Sequence, residues 1–272
     1  MLDKEEWPAM IAAHLEAAQW HLVHQKGDDS MEYQGTVIRP EDSVRAFFNR
    51  VYGWMAGGLA LTAAIAWFVG NNQAIQQVIF GNSLVFILLI VAEFGLVIGL
   101  SRAIARMSPQ MAGLLFLTYA AVNGLTLSSI FMVYAKGDIT MAFVASAGMF
   151  LAMSLIGSAT HMDLSRVGNI ALFGLFGIIG MSIINIFTKS TGLDFLISII
   201  GIVVFLGLTA WDTQKLRRMA LSLDPTGDNP ITMAGGNPQA EKAAVIGALS
   251  LYLDLVNLFL FVLRFFGGRR RD

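Results

Sequence analysis

The run from about Ala243 to Leu263 is apolar for long enough, at ~1.5 Å per residue, to cross a ~30 Å hydrocarbon layer, yet it carries a carboxylate near its middle. Residues 249–261 read Leu-Ser-Leu-Tyr-Leu-Asp-Leu-Val-Asn-Leu-Phe-Leu-Phe. An ionised Asp254 at that depth costs roughly 2.5 to 3.5 kcal/mol on insertion scales, so the helix must turn it towards protein or water rather than lipid. Asn257 at i+3 and Ser250 at i−4 share its face, while Leu251, Leu255 and Leu258 point elsewhere. A helix with one polar face at membrane depth requires other helices around it.

The chain supplies them. Six further apolar runs lie at about 52–70, 83–101, 111–134, 139–160, 167–187 and 193–214. Polar or turn-rich breaks separate them, among them Gly70-Asn71-Asn72-Gln73, Arg106-Met107-Ser108-Pro109, Lys136-Gly137-Asp138 and Lys189-Ser190-Thr191-Gly192. Most connections are short, so consecutive spans are antiparallel neighbours in one bundle. The composition agrees, with 56% hydrophobic residues, 14% charged and a mean hydropathy of +0.64, where a soluble domain carries about 25% charged residues. The expected fold is an all-α integral membrane protein, a bundle of seven transmembrane helices.

Residues 1–46 form a polar tail, 47–268 the membrane domain and 269–272 a basic tail. The amino-terminal segment has no basic leader, apolar core and small-residue cleavage site, so it is not expected to be a signal peptide. Met10, Ile11, Leu15, Ala18 and Leu22 permit a short amphipathic helix over about Trp7–Val23, and Met31 is an alternative start. The long connection from Leu216 to Lys242, rich in Pro and Gly, reads as irregular and outside the membrane, after a helical continuation through Leu223. Small residues four apart, Gly53 with Gly57 and Gly95 with Gly99, and the trio Gly174, Gly177 and Gly180, are expected where helices approach closely.

Basic residues set the orientation. Arg39, Arg45, Arg50, Arg102, Arg106, Arg166, Lys215, Arg217, Arg218 and Lys242 fall on one side, and only Lys136 and Lys189 on the other, which places the amino terminus in the cytoplasm. Seven full spans then put Arg269, Arg270 and Arg271 on the far side, against the rule. A net charge of −1 without a basic patch excludes nucleic acid as a partner. The absence of cysteine excludes disulfides, iron–sulfur clusters and thiolate zinc sites.

The ionisable residues deep in the runs are Glu93, Asp212 and Asp254, all acids. Three acids without an internal base suggest a site for protons or for a cation such as Ca²⁺, which takes carboxylate, amide and carbonyl oxygens. Two carboxylates at ~5 Å and an effective dielectric near 20 repel by about 3 kcal/mol, enough for the pair to share a proton and titrate as a unit. Asp212 and Asp254 are the candidates for such a pair and for metal ligation. Glu93, Asn257 and Ser250 are candidates for lining or gating a path.

The last run, continuing into Leu263-Arg264-Phe265-Phe266-Gly267, resembles the last-helix signature of the transmembrane Bax inhibitor motif family, in its bacterial form. Asp212-Thr213-Gln214 is similar to that family's second aspartate motif. Asn123-Gly124-Leu125-Thr126-Leu127, Asp163-Leu164-Ser165 and Asn185-Ile186-Phe187 match it at the expected positions, so that the resemblance spans about 46–268. It implies a central last helix surrounded by the other six, and a pH-sensitive Ca²⁺ leak channel whose sensor is Asp212 with Asp254. It also implies a basic latch on Asp212 from the end of the second span, for which Arg102 and Arg106 both qualify. The connection His161-Met162-Asp163-Leu164 departs from the family's more basic pattern.

The reading is therefore a non-enzymatic channel without a cofactor, in a prokaryotic plasma (inner) membrane and linked to stress response, with Ca²⁺, protons and the lipid bilayer as its partners. The alternative is an interaction protein that modulates a cell-death pathway or a membrane-bound ATP-dependent protease, through residues 1–46. A proton-coupled transporter is the third. Ser158 with His161 makes a poor protease site, no Lys between Lys242 and Arg264 can carry retinal, and zinc and phosphate-loop motifs are absent.

Overall fold

The structure is a computed structural model that describes residues 40–223 and 238–267. The tail before Pro40, with its amphipathic stretch, and Arg269, Arg270 and Arg271 lie outside the described residues. Helix α1 runs Pro40–Gly70, α2 Gln73–Phe80, α3 Ser83–Ala103, α4 Pro109–Leu127, α5 Ile130–Val133, α6 Lys136–Ala159, α7 Ser165–Thr188, α8 Thr191–Leu223 and α9 Pro238–Phe266. Among the described residues seven helices are long and apolar enough to cross a membrane, and no strand is present. The chain is an all-α integral membrane protein.

Local chemistry fixes the boundaries. Ser108 caps α4 by accepting from the Met111 amide at 3.2 Å, and Pro109 occupies the first turn, where its missing N–H costs nothing. Asn82 caps α3 through the Leu84 amide at 3.0 Å. Asn72 caps α2, a short helix within the polar gap between the first two spans. Two expected boundaries move. Lys136-Gly137-Asp138 opens α6 instead of breaking the chain, since Asp138 suits the positive end of a helix. The third apolar run divides at Ser128 and Ser129, whose hydroxyls donate back to the carbonyls of Leu125 at 2.6 Å and Thr126 at 2.9 Å.

The last helix is the core. Its spanning window is 67% buried, against 6% for α3 and 11% for α7. Helix α9 packs on α1, α4, α6 and α8, while α3 packs on α4 and α7 on α8. The surrounding helices thus form an inner four and an outer two, in place of one ring of six. The outward sides of α3 and α7 are apolar, and Val91, Phe94, Phe173, Phe176 and Phe187 stay exposed, as the hydrocarbon of a bilayer allows.

Close approach occurs at other glycines than the spacing suggests. A Cβ at Gly53, Gly57, Gly95, Gly99, Gly177 or Gly180 would meet nothing within 4 Å, and of the expected positions only Gly174 meets a neighbour, Val204. The tight crossings are at Gly157, where a Cβ would strike the Ala210 carbonyl, and at Gly124, where it would come within 2.8 Å of the Thr62 carbonyl. Four-residue spacing marks a smooth helix face, but packing decides which faces meet.

Candidate functional site

Residues two apart on a helix point about 200° apart, so Tyr252 and Asp254 face opposite sides of α9. Each organises a polar cluster. Asp254 is buried, at 4% exposure, and its Oδ2 has no hydrogen-bond partner. The neighbouring α8 brings Asp212 near enough for the two carboxyls to act on each other as like charges. The cation acting on Asp212 is Lys215, on the same helix, whose ammonium lies 5.4 Å from the centre of the Trp211 ring.

The rest of the Asp212-Thr213-Gln214 motif is structural. Thr213 donates to the Thr209 carbonyl at 2.7 Å, and its hydroxyl lies 3.2 Å from that of Ser154, itself 2.5 Å from the Tyr52 hydroxyl. Those contacts tie α8 to α6 and α1. The Gln214 amide pins the α6–α7 connection, accepting from the Leu164 amide at 2.9 Å and donating to the Met162 carbonyl at 2.7 Å. Arg218 donates to Asp163 at 2.7 Å and to the Gln214 oxygen at 2.8 Å. The Asp163 carboxyl, outside the membrane, is held down at about 2, first by Arg218 and then by Ser165.

The second cluster lies across α9. Glu93 of α3 reaches Thr126 and Asn123 of α4, with its Oε1 left buried and unpartnered. The Tyr252 hydroxyl donates to Asn123 Oδ1 at 2.9 Å and lies 2.6 Å from the Thr62 hydroxyl, which donates to the Ala120 carbonyl at 2.8 Å. The rings of Phe116 and Tyr119 meet Tyr252 edge-on at 5.7 and 5.8 Å. Thr62 also lines an apolar cavity of about 260 Å³ bounded by Phe131, Phe143, Val256 and Phe259.

The sequence reading set Glu93 apart from the Asp212 and Asp254 pair, and Glu93 lies on a different helix from either, α3. Asp212 stands near enough to Asp254 to act on it as a like charge, while Glu93 lies with Asn123 and Thr126 of α4. Among the described residues no three of His, Asp and Glu converge as a metal site. Ser250 and Asn257 are half-buried, and the Asn257 amide donates back to the Leu253 carbonyl at 2.8 Å. Arg102 and Arg106 are exposed at the end of α3 and in the 3₁₀ turn after it.

Tyr252, Thr62, Gln214 and Arg218 did not emerge as site residues from the sequence. A tyrosine inside an apolar helix was the available signal for Tyr252, because its hydroxyl must find a partner. Asp194 went unnoticed too. It pairs with Arg264 of α9 and accepts from the Asn185 amide at 2.8 Å, which gives the Asn185-Ile186-Phe187 segment a structural task.

These positions, Asn123-Gly124, Asp163, Asn185, Asp212-Thr213-Gln214 and the α9 face, are the ones that carry the family resemblance. The family model described as inhibitor of apoptosis-promoting Bax1 matches residues 44–271. The chain belongs to the Bax inhibitor-1 family. It is 42% identical over 242 residues to the inner membrane protein YbhL of Escherichia coli K12, covering 89% of this chain and all of that one. An uncharacterized protein of Borreliella burgdorferi is 44% identical over 226 residues, 83% of this chain and 93% of the relative. The uncharacterized membrane protein SpyM3_0260 of Streptococcus pyogenes is 33% identical over 223 residues, with 81% and 92% covered. The matched regions extend over nearly the whole of each relative and more than four-fifths of this Bax inhibitor-1 chain.

Proposed function

We propose that this Bax inhibitor-1 protein is a pH-sensitive Ca²⁺ leak channel of the inner (plasma) membrane, with its amino terminus in the cytoplasm, gated by Asp212 and Asp254. The observation that carries the reading is the unpartnered Oδ2 of Asp254, buried on the central helix beside a like charge. A carboxyl kept only for packing would have its oxygens satisfied, because an unmade hydrogen bond there costs about 1 to 3 kcal/mol. A carboxyl that exchanges a proton with its neighbour, or takes a passing cation, needs an open oxygen.

The mechanism follows from charge. With both carboxyls ionised, Lys215 balances Asp212 and the repulsion falls on the α8–α9 contact. A shared proton removes that repulsion and shifts the population between closed and open arrangements of the two helices. Lys215 takes the latch role in this arrangement, rather than Arg102 or Arg106. Ca²⁺ prefers six to eight oxygens, and two carboxyls provide only part of such a shell, which suits a brief stop on a leak path better than tight storage. Glu93, Asn123 and Tyr252 would form a second polar step across α9, next to the apolar cavity that Thr62 lines. No cofactor and no covalent chemistry enters.

The test is Ca²⁺ flux into proteoliposomes between pH 6 and pH 8. Flux varies with pH for the intact protein, and Asp254→Asn or Asp212→Asn flattens that dependence. If the intact protein carries no more Ca²⁺ than empty liposomes do, the channel reading fails, and an interaction protein acting through residues 1–46 on a membrane-bound protease takes its place.

A further inference from the structure

Away from both clusters, a cavity of about 590 Å³ opens where α1, α4 and α9 diverge at the end of the bundle that carries Arg50, Pro109 and Glu241. Arg50 and Glu241 are its charged groups. Trp54, Leu114, Leu117 and Val245 form apolar walls, and Leu114 is 60% exposed on the outer surface of α4. The cavity therefore opens sideways towards lipid, beside the charged start of the first span.

The two charges do not satisfy each other. Arg50 Nη1 stands 3.9 Å from the nearer Glu241 oxygen, beyond a normal hydrogen bond, and that nitrogen is buried without an acceptor. Glu241 therefore does not saturate the guanidinium, whose side chain is 24% exposed where it lines the cavity, and phosphate is the planar fork's natural acceptor. The carboxylate beside it would repel an anion alone. A ligand with an anionic and a cationic group a few ångströms apart meets both charges, and acyl chains would lie along Trp54, Leu114 and Leu117.

We infer that this cavity binds one zwitterionic aminophospholipid from the bilayer, its phosphate on Arg50 and its primary ammonium on Glu241, with the acyl chains leaving past Leu114. A primary ammonium donates hydrogen bonds to the carboxylate, whereas a choline headgroup cannot, and a glycerol headgroup brings no positive charge. The site thus discriminates by headgroup, independently of Asp212, Asp254 and ion flux.

Native mass spectrometry of the full-length protein, delipidated in mild detergent and titrated with dioleoyl phosphatidylethanolamine, phosphatidylcholine or phosphatidylglycerol, tests this. The intact protein takes one phosphatidylethanolamine about tenfold more tightly than either other lipid. Arg50→Gln weakens it by about tenfold, and Glu241→Gln removes the preference over phosphatidylcholine. Leu114→Trp, at an exposed position, narrows the mouth and weakens binding while leaving the Arg50 and Glu241 charges in place. Arg45→Gln, exposed on the same helix, binds as the intact protein does. Equal affinity for the three headgroups, unchanged binding by both Arg50→Gln and Leu114→Trp, or displacement of the lipid by millimolar inorganic phosphate would each overturn the inference.

Discussion

The hydroxyl of Tyr252 sits among more acceptors than it has protons. Three hydrogen bonds join Asn123, Tyr252, Thr62 and the Ala120 carbonyl, yet the two hydroxyls contribute one proton each. With the Tyr252 proton on Asn123 and the Thr62 proton on the Ala120 carbonyl, the 2.6 Å contact between the two hydroxyls has no proton of its own. Tyr252→Phe keeps the ring contacts with Phe116 and Tyr119 but strands the Asn123 amide. Thermal unfolding in detergent should register a loss of about 1 to 3 kcal/mol, and an unchanged midpoint would show that the network carries no stability.

Asp163 behaves differently because water reaches it. Its folded carboxyl sits at about 2, below the ordinary value near 3.9, so its contribution to holding the α6–α7 connection is complete above the ordinary value and is lost as the pH falls towards 2. Between pH 6 and pH 8 the Arg218 contact stays intact. Asp163→Asn should speed hydrogen exchange at the Leu164 amide while leaving the shape of the flux–pH profile unchanged. A flattened profile in that variant would count against the sensor proposed at the α8–α9 pair and in favour of this connection.

At the scale of elements, the positions of the spans were legible because apolar runs of about 20 residues have few other outcomes. Their contacts were not. Gly95 and Gly99 show the small-residue spacing but lie open on α3, whereas Gly157 has no such partner in register and meets the Ala210 backbone. Gly157→Ala should destabilise the α6–α8 crossing by about 1 to 3 kcal/mol, since a carbonyl cannot move aside as a side-chain tip can, and Gly95→Ala should be near neutral. Equal unfolding midpoints for the two would refute this packing. The burial of Asp254 was legible for the same kind of reason, since a mid-span carboxyl must turn away from lipid. The role of Gln214 was hidden, because a helix sequence does not reveal which connection will lie beside it.

For the whole molecule, one central helix has two polar faces. The acid pair lies between α8 and α9, and the Glu93 network joins α1, α3 and α4 to the other side of α9, so an axial turn of α9 would act on both clusters at once. The sequence showed that Glu93, Asp212 and Asp254 are unusual but could not show that they fall on different sides of one cylinder. That depends on which neighbour each face meets, and neighbours are set by long-range packing.

The central position of α9 also bears on how the protein is made. A ribosome delivers the six other spans first, and their common core, the helix that buries Asp254 and Tyr252, arrives after them. Until then Thr62, Asn123 and Asp212 face a gap in the nascent bundle. Assembly must finish by admitting a late helix between elements already in the membrane, so the outer helices α3 and α7 can hold their lipid contacts before the interior of the molecule exists.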